Sequence, residues 1–503
     1  MARWSGSSTT SDDPAMSIEV TAITERLREL GLLVHVRGPL PERIDDVTDD
    51  SRGAAPGVLF VAVRGSVRDG HDYLSLAESQ GAAAAIVEDE TRTRLPVIVV
   101  SDARRAAAAA AAVRYGDPAR RVRIVGVTGT NGKTTTVGLL RHLLDAPDGR
   151  AASIGTLGVL VGSEGEALDG GSGLTTPGPI ELQRVLGALV ARGVTTVAME
   201  VSSHSLHQRR VEGLVFAAGV FTNLTRDHLD YHGTMDDYLA AKALLVGLLA
   251  SDGVAVVNAD DRAWTALPTA PRTLAFSAEG HAADVRALDV RYRPRGSEWT
   301  LAIGSDAAAV TLPLIGAFNV ANALAAAGAA HAVGARTKQI AERLSGAPQV
   351  PGRLELLHDA PAVLRDYAHT PDALERALDA VRPFATGKLI VVFGCGGDRD
   401  KGKRPVMGDI ATRKADIAIV TSDNPRTEDP ERILDDIEAG MRGRAHERVE
   451  DRRAAIARAL ARAGPDDVVV LAGKGHETYQ IRGTVKHHFD EKEIVQELTA
   501  GSR

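Results

Sequence analysis

One stretch constrains the fold of this chain more than any other: VRIVGVTGTNGKTTTVGLLRHLL, residues 122 to 144. An apolar run of strand length leads into a glycine-rich loop and then a helical pattern. Strand, loop and helix in that order are the opening half of a βαβ unit, which implies a largely parallel sheet covered on both faces. The loop also specifies a ligand. Backbone N–H groups of a glycine-rich turn cradle phosphate oxygens, and the following helix N-terminus adds its dipole. The pattern assigns Gly129, Thr130, Asn131, Gly132, Lys133, Thr134 and Thr135 to a nucleoside triphosphate. Lys133 is directed at the β- and γ-phosphates and the Thr134 hydroxyl at Mg²⁺. The usual spacing puts a glycine five positions before Gly132; Val127 stands there, and the glycine is one earlier, at Gly126. ATPases, kinases, GTPases and ligases all use such a loop, so it does not name a reaction.

The rest of the chain repeats the strand signature in three groups. VLFVAVRG, AAAAIVED and PVIVVSD predict a small α/β domain over residues 18–118. VTTVAMEVSS, FAAGVFTNL and GVAVVNADD join the phosphate-loop unit in a central α/β domain, residues 119–350, with a mainly parallel sheet. Prolines and glycines in LSGAPQVPGRLELL mark a linker. AVLRDYA, KLIVVFGCGG, IAIVTSD and DVVVLAGKG then predict a doubly wound, Rossmann-like domain over 351–503. Ligands in such sheets sit beyond the carboxyl ends of the strands, where GCGGDR, SDNPR and GKGHE fall.

Composition narrows the partners. The 503 residues carry a net charge of −7 with no basic block, which argues against nucleic acid. A single cysteine, Cys395, excludes a disulfide framework and a cysteine-built zinc site, and it suits a reducing cytoplasm. The first 17 residues are polar, lack the apolar core of a signal peptide and read as a disordered tail. ARRAAAAAAAVRYG is too short for a membrane span and reads as a soluble helix.

The form TGTNGKTT is followed in order by MEVSSHSLHQRR, FTNLTRDHLDYHGTMDDYLAAKALL, NADD, GAFNVANALAA, PGR, DYAHTPDAL, GCGGDRDKGKRPVM, DNPR and GKGHETYQ. Over about residues 45–495 the chain resembles the Mur ligase family, and within it the members that add meso-2,6-diaminopimelate to UDP-N-acetylmuramoyl-L-Ala-D-Glu. The resemblance implies a monomeric ATP-dependent ligase of peptidoglycan precursor synthesis that forms an acyl phosphate. It implies Glu200 and His228 as Mg²⁺ ligands beside Thr134, and Lys242 as a lysine carbamylated by CO₂. A lysine reacts with CO₂ only as the neutral amine, so partial burial of Lys242 near cations is expected. Asn319 and Asn322 are implied at the adenine, and Arg353, Asp366 and His369 at the ribose and phosphates. Ser51 and the loop 64–70 fall at positions for uridine diphosphate; Thr175, Thr176, Ser202, Gln208 and Arg210 fall around the muramoyl-dipeptide.

Diaminopimelate differs from lysine by a distal zwitterion. An arginine fork binds its carboxylate, and an acceptor binds its ammonium. Arg426 and Arg399 supply guanidinium groups, with Asp423, Asn424 and Pro425 around Arg426, while Gly473 and Glu477 lie in GKGHE. GKGHE itself has no Ser or Thr after its lysine and is not a second phosphate loop. A folylpolyglutamate synthase-like ligase would lack both a uridine-binding first domain and DNPR. A phosphate-loop ATPase would turn over ATP without either other substrate. An inactive binding protein would be expected to lose Lys133, Glu200, His228 or Lys242, and all four are present.

Overall fold

The computed structural model describes residues 17–500 apart from 66, 67, 148, 171, 172 and 442. Most of the expected N-terminal tail, and two residues of the loop 64–70, therefore lie outside the described residues. The chain forms two compact units. The first holds residues up to Val122, with Pro177–Arg192 and Gln208–Leu214 added from later in the chain. The second holds the remainder, including both the phosphate loop and the whole C-terminal segment.

In the first unit, Leu33–Arg37 pairs antiparallel with Val97–Val100, and Ala84–Val87, Val58–Val61 and Asp46–Thr48 follow in parallel. The inner strands are apolar without alternation, as burial on both faces requires. The alanine-rich run is the helix Ala103–Arg114, whose buried face consists of alanines. Such small side chains let the helices Val20–Glu29 and Pro179–Ala191 pack against it.

The second unit carries two main sheets. In the larger, Arg123–Thr128 lies between Val194–Glu200 and Phe216–Phe221, parallel to both. Arg150–Gly155 extends the parallel set on one side, and Leu249–Asn258 and Arg272–Ser277 extend it on the other. Both margins end in antiparallel strands, including Val285–Arg293, Gly296–Ile303 and Asp306–Leu312. The phosphate-loop strand thus stands where the strand order reverses, the place at which open α/β sheets bind ligands. Gly126 makes this possible: a Cβ there would meet the Phe216 ring at 2.8 Å.

The C-terminal sheet runs Glu355–Asp359, Ala362–Asp366, Val468–Ala472, Leu389–Phe393, Ile417–Val420 and Glu447–Arg448. All pairings are parallel except the first. The strand Val468–Ala472 is held by an ion pair wholly out of water. Arg452 donates to Glu491 Oε1 and to the Ala472 carbonyl, both at 2.8 Å, and both side chains are 0% exposed. Removing one partner strands a buried charge, whereas replacing both with apolar groups of similar volume does not. Arg452→Met is expected to lower the stability of the C-terminal unfolding transition in urea by about 3–5 kcal/mol. The Arg452→Met/Glu491→Met pair should recover most of that loss.

Candidate active site

The phosphate loop is shaped by two glycines in the left-handed region, Gly129 at φ 143° and Gly132 at φ 85°. A side chain at Gly129 would collide with the Thr222 hydroxyl, and one at Gly132 with Asn322 Oδ1. The loop is thus braced from two sides. Thr222 Oγ1 donates to Asn131 O at 2.7 Å, and Asn131 N donates to Asn223 Oδ1 at 2.9 Å. The Thr130 hydroxyl sits 3.2 Å from the Tyr238 hydroxyl and accepts from Thr225 N at 3.0 Å.

Two lysines converge on this loop. Lys133 Nζ donates to the carbonyls of Gly129 and Thr130, both at 2.8 Å. Lys242 Nζ donates to the same Gly129 carbonyl at 2.8 Å and lies 4.4 Å from the centre of the Tyr238 ring. Lys242 is 1% exposed, at the end of the helix Met235–Ala243, so it is buried more completely than the sequence suggests. Burial, with the Lys133 ammonium as the next cause, holds its amine well below the ordinary lysine range. Burial likewise lowers Lys133, against the pull of Glu200 and Asp227.

Glu200 ends its strand and is buried. Its carboxylate accepts from Thr156 N at 2.8 Å and from the Thr156 hydroxyl at 3.1 Å, both neutral donors. Thr156 was not singled out from the sequence, although it directly follows the strand Arg150–Gly155 at the same sheet edge. Thr176 Oγ1 donates to Glu200 O at 2.8 Å and accepts from Ser202 N at 3.2 Å, while Thr175 lies 3.3 Å from Thr156 Oγ1. This brings Thr175, Thr176 and Ser202 to the Glu200 strand end. His228 adopts a left-handed backbone at φ 54°, and its half-exposed ring stacks edge-on against His204 at 4.8 Å. The Glu200 carboxylate, held by neutral donors, and the Thr134 hydroxyl are oxygen donors of the kind Mg²⁺ takes, while His228 Nε2 stands 3.4 Å from Asp227 Oδ2. Thr134 and Glu200 line a common cavity of about 430 Å³ with Thr156, Val350 and His476.

The C-terminal segment reaches the same loop. Arg353 donates to Thr134 Oγ1 at 3.0 Å and lies over the Tyr367 ring, and Asn131 Nδ2 donates to Asp372 Oδ2 at 2.9 Å. Asp366 accepts from Leu354 N at 2.7 Å, and burial pushes its carboxyl up to about 6, against the nearby Arg353. His369 Nδ1 is 2.8 Å from Tyr367 O. Asn319 and Asn322 are buried in the helix Ala317–Ala332. Asn322 Nδ2 donates to Asn319 Oδ1 at 3.1 Å, and Asn319 Nδ2 donates to Ile315 O at 2.8 Å. Asn322 backs the phosphate loop at Gly132.

A second constellation lies at the carboxyl ends of the C-terminal strands. Arg426 has φ 52° and donates through Nη1 to Gly397 O at 2.8 Å. Asn424 Nδ2 donates to Glu477 Oε2 at 2.8 Å. Pro425 is buried, and its carbonyl occupies the space a side chain at Gly397 would fill. Asp423 is buried 3.3 Å from the Lys474 ammonium, and Gly473 abuts it at φ 118°. Burial, followed by Asp423, raises the Glu477 carboxyl. Arg399 is exposed, near Gly396. Glu428 pairs instead with Arg404 and Lys401, which hold its carboxyl down at about 2. Ser51, Gln208 and Arg210 belong to the first unit, where Arg210 donates to Gln208 Oε1 at 2.6 and 3.0 Å. Ser51 there opens a short 3-10 turn and is 9% exposed.

Lys242 gives this site a pH signature. A lysine whose folded value is lowered binds fewer protons folded than unfolded, so stability rises with pH between the lowered value and the unfolded one. In CO₂-free buffer the wild type, measured against Lys242→Met, is expected to gain up to about 1.4 kcal/mol per pH unit across the alkaline range. The gain should level off near the ordinary lysine value; urea unfolding at stepped pH reads it.

Three family models match in sequence: the Mur ligase family catalytic domain at residues 43–123, the Mur ligase middle domain at 127–330, and the Mur ligase glutamate ligase domain at 352–475. A UDP-N-acetylmuramoyl-L-alanyl-D-glutamate–2,6-diaminopimelate ligase of Gloeobacter violaceus is 46% identical over 471 residues, 92% of this chain and 94% of its own. One from Bacillus cereus is 39% identical over 95% of this chain and 99% of its own. A solved structure of a ligase of that name superposes with a TM-score of 0.68 at 34% identity, covering 97% of this chain and 99% of its own.

Proposed function

The chain belongs to the Mur ligase family, and from that premise we propose that it joins meso-2,6-diaminopimelate to the D-Glu carboxylate of UDP-N-acetylmuramoyl-L-Ala-D-Glu at the expense of ATP. The observation that carries the reading is the gathering of Arg426, Asn424 and Glu477 in the same compact unit as the phosphate loop: Asn424 donates to Glu477, and the Arg426 guanidinium lies within electrostatic reach of that carboxylate. A distal zwitterion needs a guanidinium for its carboxylate and an acceptor for its ammonium. Arg426 and Glu477 supply both.

ATP lies with its phosphates on the loop 129–135, beside Lys133 and Arg353. A carboxylate oxygen of D-Glu attacks the γ-phosphorus, and ADP leaves with the electrons of the broken P–O bond. The diaminopimelate amine then attacks the acyl carbon, loses a proton, and inorganic phosphate departs. Charge builds on the transferring phosphoryl oxygens, so cations fixed in advance stabilise that state without reorganisation. Lys133 and Arg353 are two such cations. Thr134, Glu200 and His228 would hold Mg²⁺, which supplies further charge neutralisation when bound. Burial and the Lys133 ammonium lower the Lys242 amine well below the ordinary lysine range, which favours the neutral form that reacts with CO₂; the carbamate would place an anion there.

Asn319, Asn322, Asp366 and His369 are assigned to the nucleotide, and Ser51, Thr175, Thr176, Ser202, Gln208 and Arg210 to the UDP-sugar dipeptide. Asp423, Asn424, Pro425, Arg426, Gly473 and Glu477 form the amine site, with Arg399 at its exposed edge. A monomer in the cytoplasm completes the reading; among the described residues no helix is long and apolar enough to cross a membrane.

Phosphate release with ATP, Mg²⁺ and UDP-N-acetylmuramoyl-L-Ala-D-Glu is expected with meso-diaminopimelate and not with L-lysine. Arg426→Ala should lower kcat/KM for diaminopimelate by on the order of 100-fold or more, because a buried partner is left unpaired. Equal turnover with lysine would keep the ligase and remove the clamp. Turnover with ATP alone would overturn the ligase itself.

A further inference from the structure

Beneath the amine site lies a lysine that neither the phosphate chemistry nor the clamp uses. Lys474 is 0% exposed. Its ammonium donates to Tyr479 O at 2.8 Å and to Asn424 Oδ1 at 3.1 Å. It stands 3.3 Å from Asp423 Oδ1 and 3.6 Å from Glu477 Oε2. The Phe489 ring closes the far side at 5.8 Å from its centre. One buried cation therefore touches both carboxylates of the site and the amide between them.

Two consequences follow. The first is orientation. Asn424 Oδ1 accepts from Lys474 and, at 2.9 Å, from Ile481 N, so its Nδ2 is turned towards Glu477. The second is charge. Arg426 and Lys474 are formally cations and Asp423 and Glu477 anions, so these four inner groups sum to zero, with the exposed Arg399 outside the count. The distal end of meso-diaminopimelate, one carboxylate and one ammonium, also sums to zero. The distal end of lysine is a lone ammonium. Without Lys474 the cluster would carry an uncompensated negative charge, the complement of a lone cation.

We propose that Lys474 is a specificity-determining residue: by neutralising one of the two carboxylates it sets the charge of the amine site to match a zwitterion and to disfavour a simple diamine. The proposal rests on the function reading above. Lys474 acts through Asp423, Asn424 and Glu477, as a positioning and charge-balancing group.

The test is a charge cycle on the full chain: wild type, Lys474→Gln, Asp423→Asn and Lys474→Gln/Asp423→Asn. Gln keeps a donor for Asn424 and Tyr479 while removing the charge. Each protein is assayed by phosphate release with meso-diaminopimelate and with L-lysine, and KM is taken separately for the amine, ATP and the UDP-sugar dipeptide. Lys474→Gln is expected to reduce the preference for diaminopimelate over lysine by about tenfold or more, the scale of one lost charge pairing. The change should fall on the amine KM, with the other two KM values held. The double variant restores zero charge and should regain several-fold of the lost preference, on the order of a typical coupling between contacting residues. A loss shared equally by both amines, or a double variant no better than Lys474→Gln, would overturn the proposal and leave Lys474 a structural brace. If Lys474→Gln does not fold, Asp423→Asn decides alone: its cluster gains a positive charge, so lysine must suffer more than diaminopimelate, and the reverse order overturns the proposal. A wild type with no diaminopimelate-dependent turnover would instead sink the function reading.

Discussion

The carbonyl oxygen of Gly129 receives hydrogen bonds from two lysines, each at 2.8 Å, and much of the active unit is arranged around that meeting. Two ammonium groups on one buried oxygen repel each other, and burial penalises both. The neighbours decide which yields. Lys133 has Glu200 and Asp227 in its field, while Lys242 has Asp227 and the repulsive Lys133. Lys242, buried against Tyr238, is the one driven towards the neutral amine. The arrangement requires a backbone that turns its carbonyl towards both side chains. That requires Gly129 at φ 143°, against Thr222 on the adjoining strand's extension. It also requires the helix carrying Lys242 to lie beside the loop, which the Thr130 and Tyr238 hydroxyls accomplish at 3.2 Å.

The second sheet joins this unit through apolar packing of Ile315 and Phe318 on its core and through polar contacts to the phosphate loop. Arg353 reaches the Thr134 hydroxyl, and Asp372 accepts from Asn131. Both partners are phosphate-loop residues. The C-terminal segment is therefore tied to the loop at side chains a triphosphate would engage, and under the proposed function nucleotide binding would be linked to the position of the amine site. Exclusion of water from an acyl phosphate depends on such a linkage, since the intermediate is useful only if the amine reaches it first.

Strands and loops were legible because their signals are local. Apolar runs marked the inner strands Val58–Val61, Arg123–Thr128 and Val468–Ala472, and glycine-rich loops marked their ends. The antiparallel hairpin Tyr479–Arg482 with Val485–His488 left no such signal, because Val485–His488 is exposed along its length. Side-chain partnerships were less legible, being contacts between residues far apart in sequence. Glu428 is near Arg426 in sequence, yet its carboxylate is taken by Arg404 and Lys401. Asn319 and Asn322 have the right chemistry for a base edge, and their bonds to each other, to Ile315 O and against Gly132 could not be read from the sequence. Thr156 carried only its place after a strand, and the lysine of GKGHE drew notice only as a phosphate-loop look-alike.

Lys242 and Lys474 make the general point. Both are lysines, both are almost fully buried at 1% and 0% exposure, and both sit under a proposed substrate site. Burial alone would treat them alike, since desolvation disfavours the charged form of each. Their partners separate them. Lys242 meets a carbonyl, an aromatic face and a second lysine. Lys474 meets two carboxylates, a carbonyl and an amide oxygen. The first environment lowers the amine; the second surrounds the side-chain nitrogen with acceptors that fix the groups around it. Part of the difference follows from an acid and an amide about 50 residues earlier in the chain, Asp423 and Asn424, returning to the same strand ends as the GKGHE loop. A parallel sheet gathers the carboxyl ends of distant strands at one edge, and so places charges that no local reading of the sequence would pair.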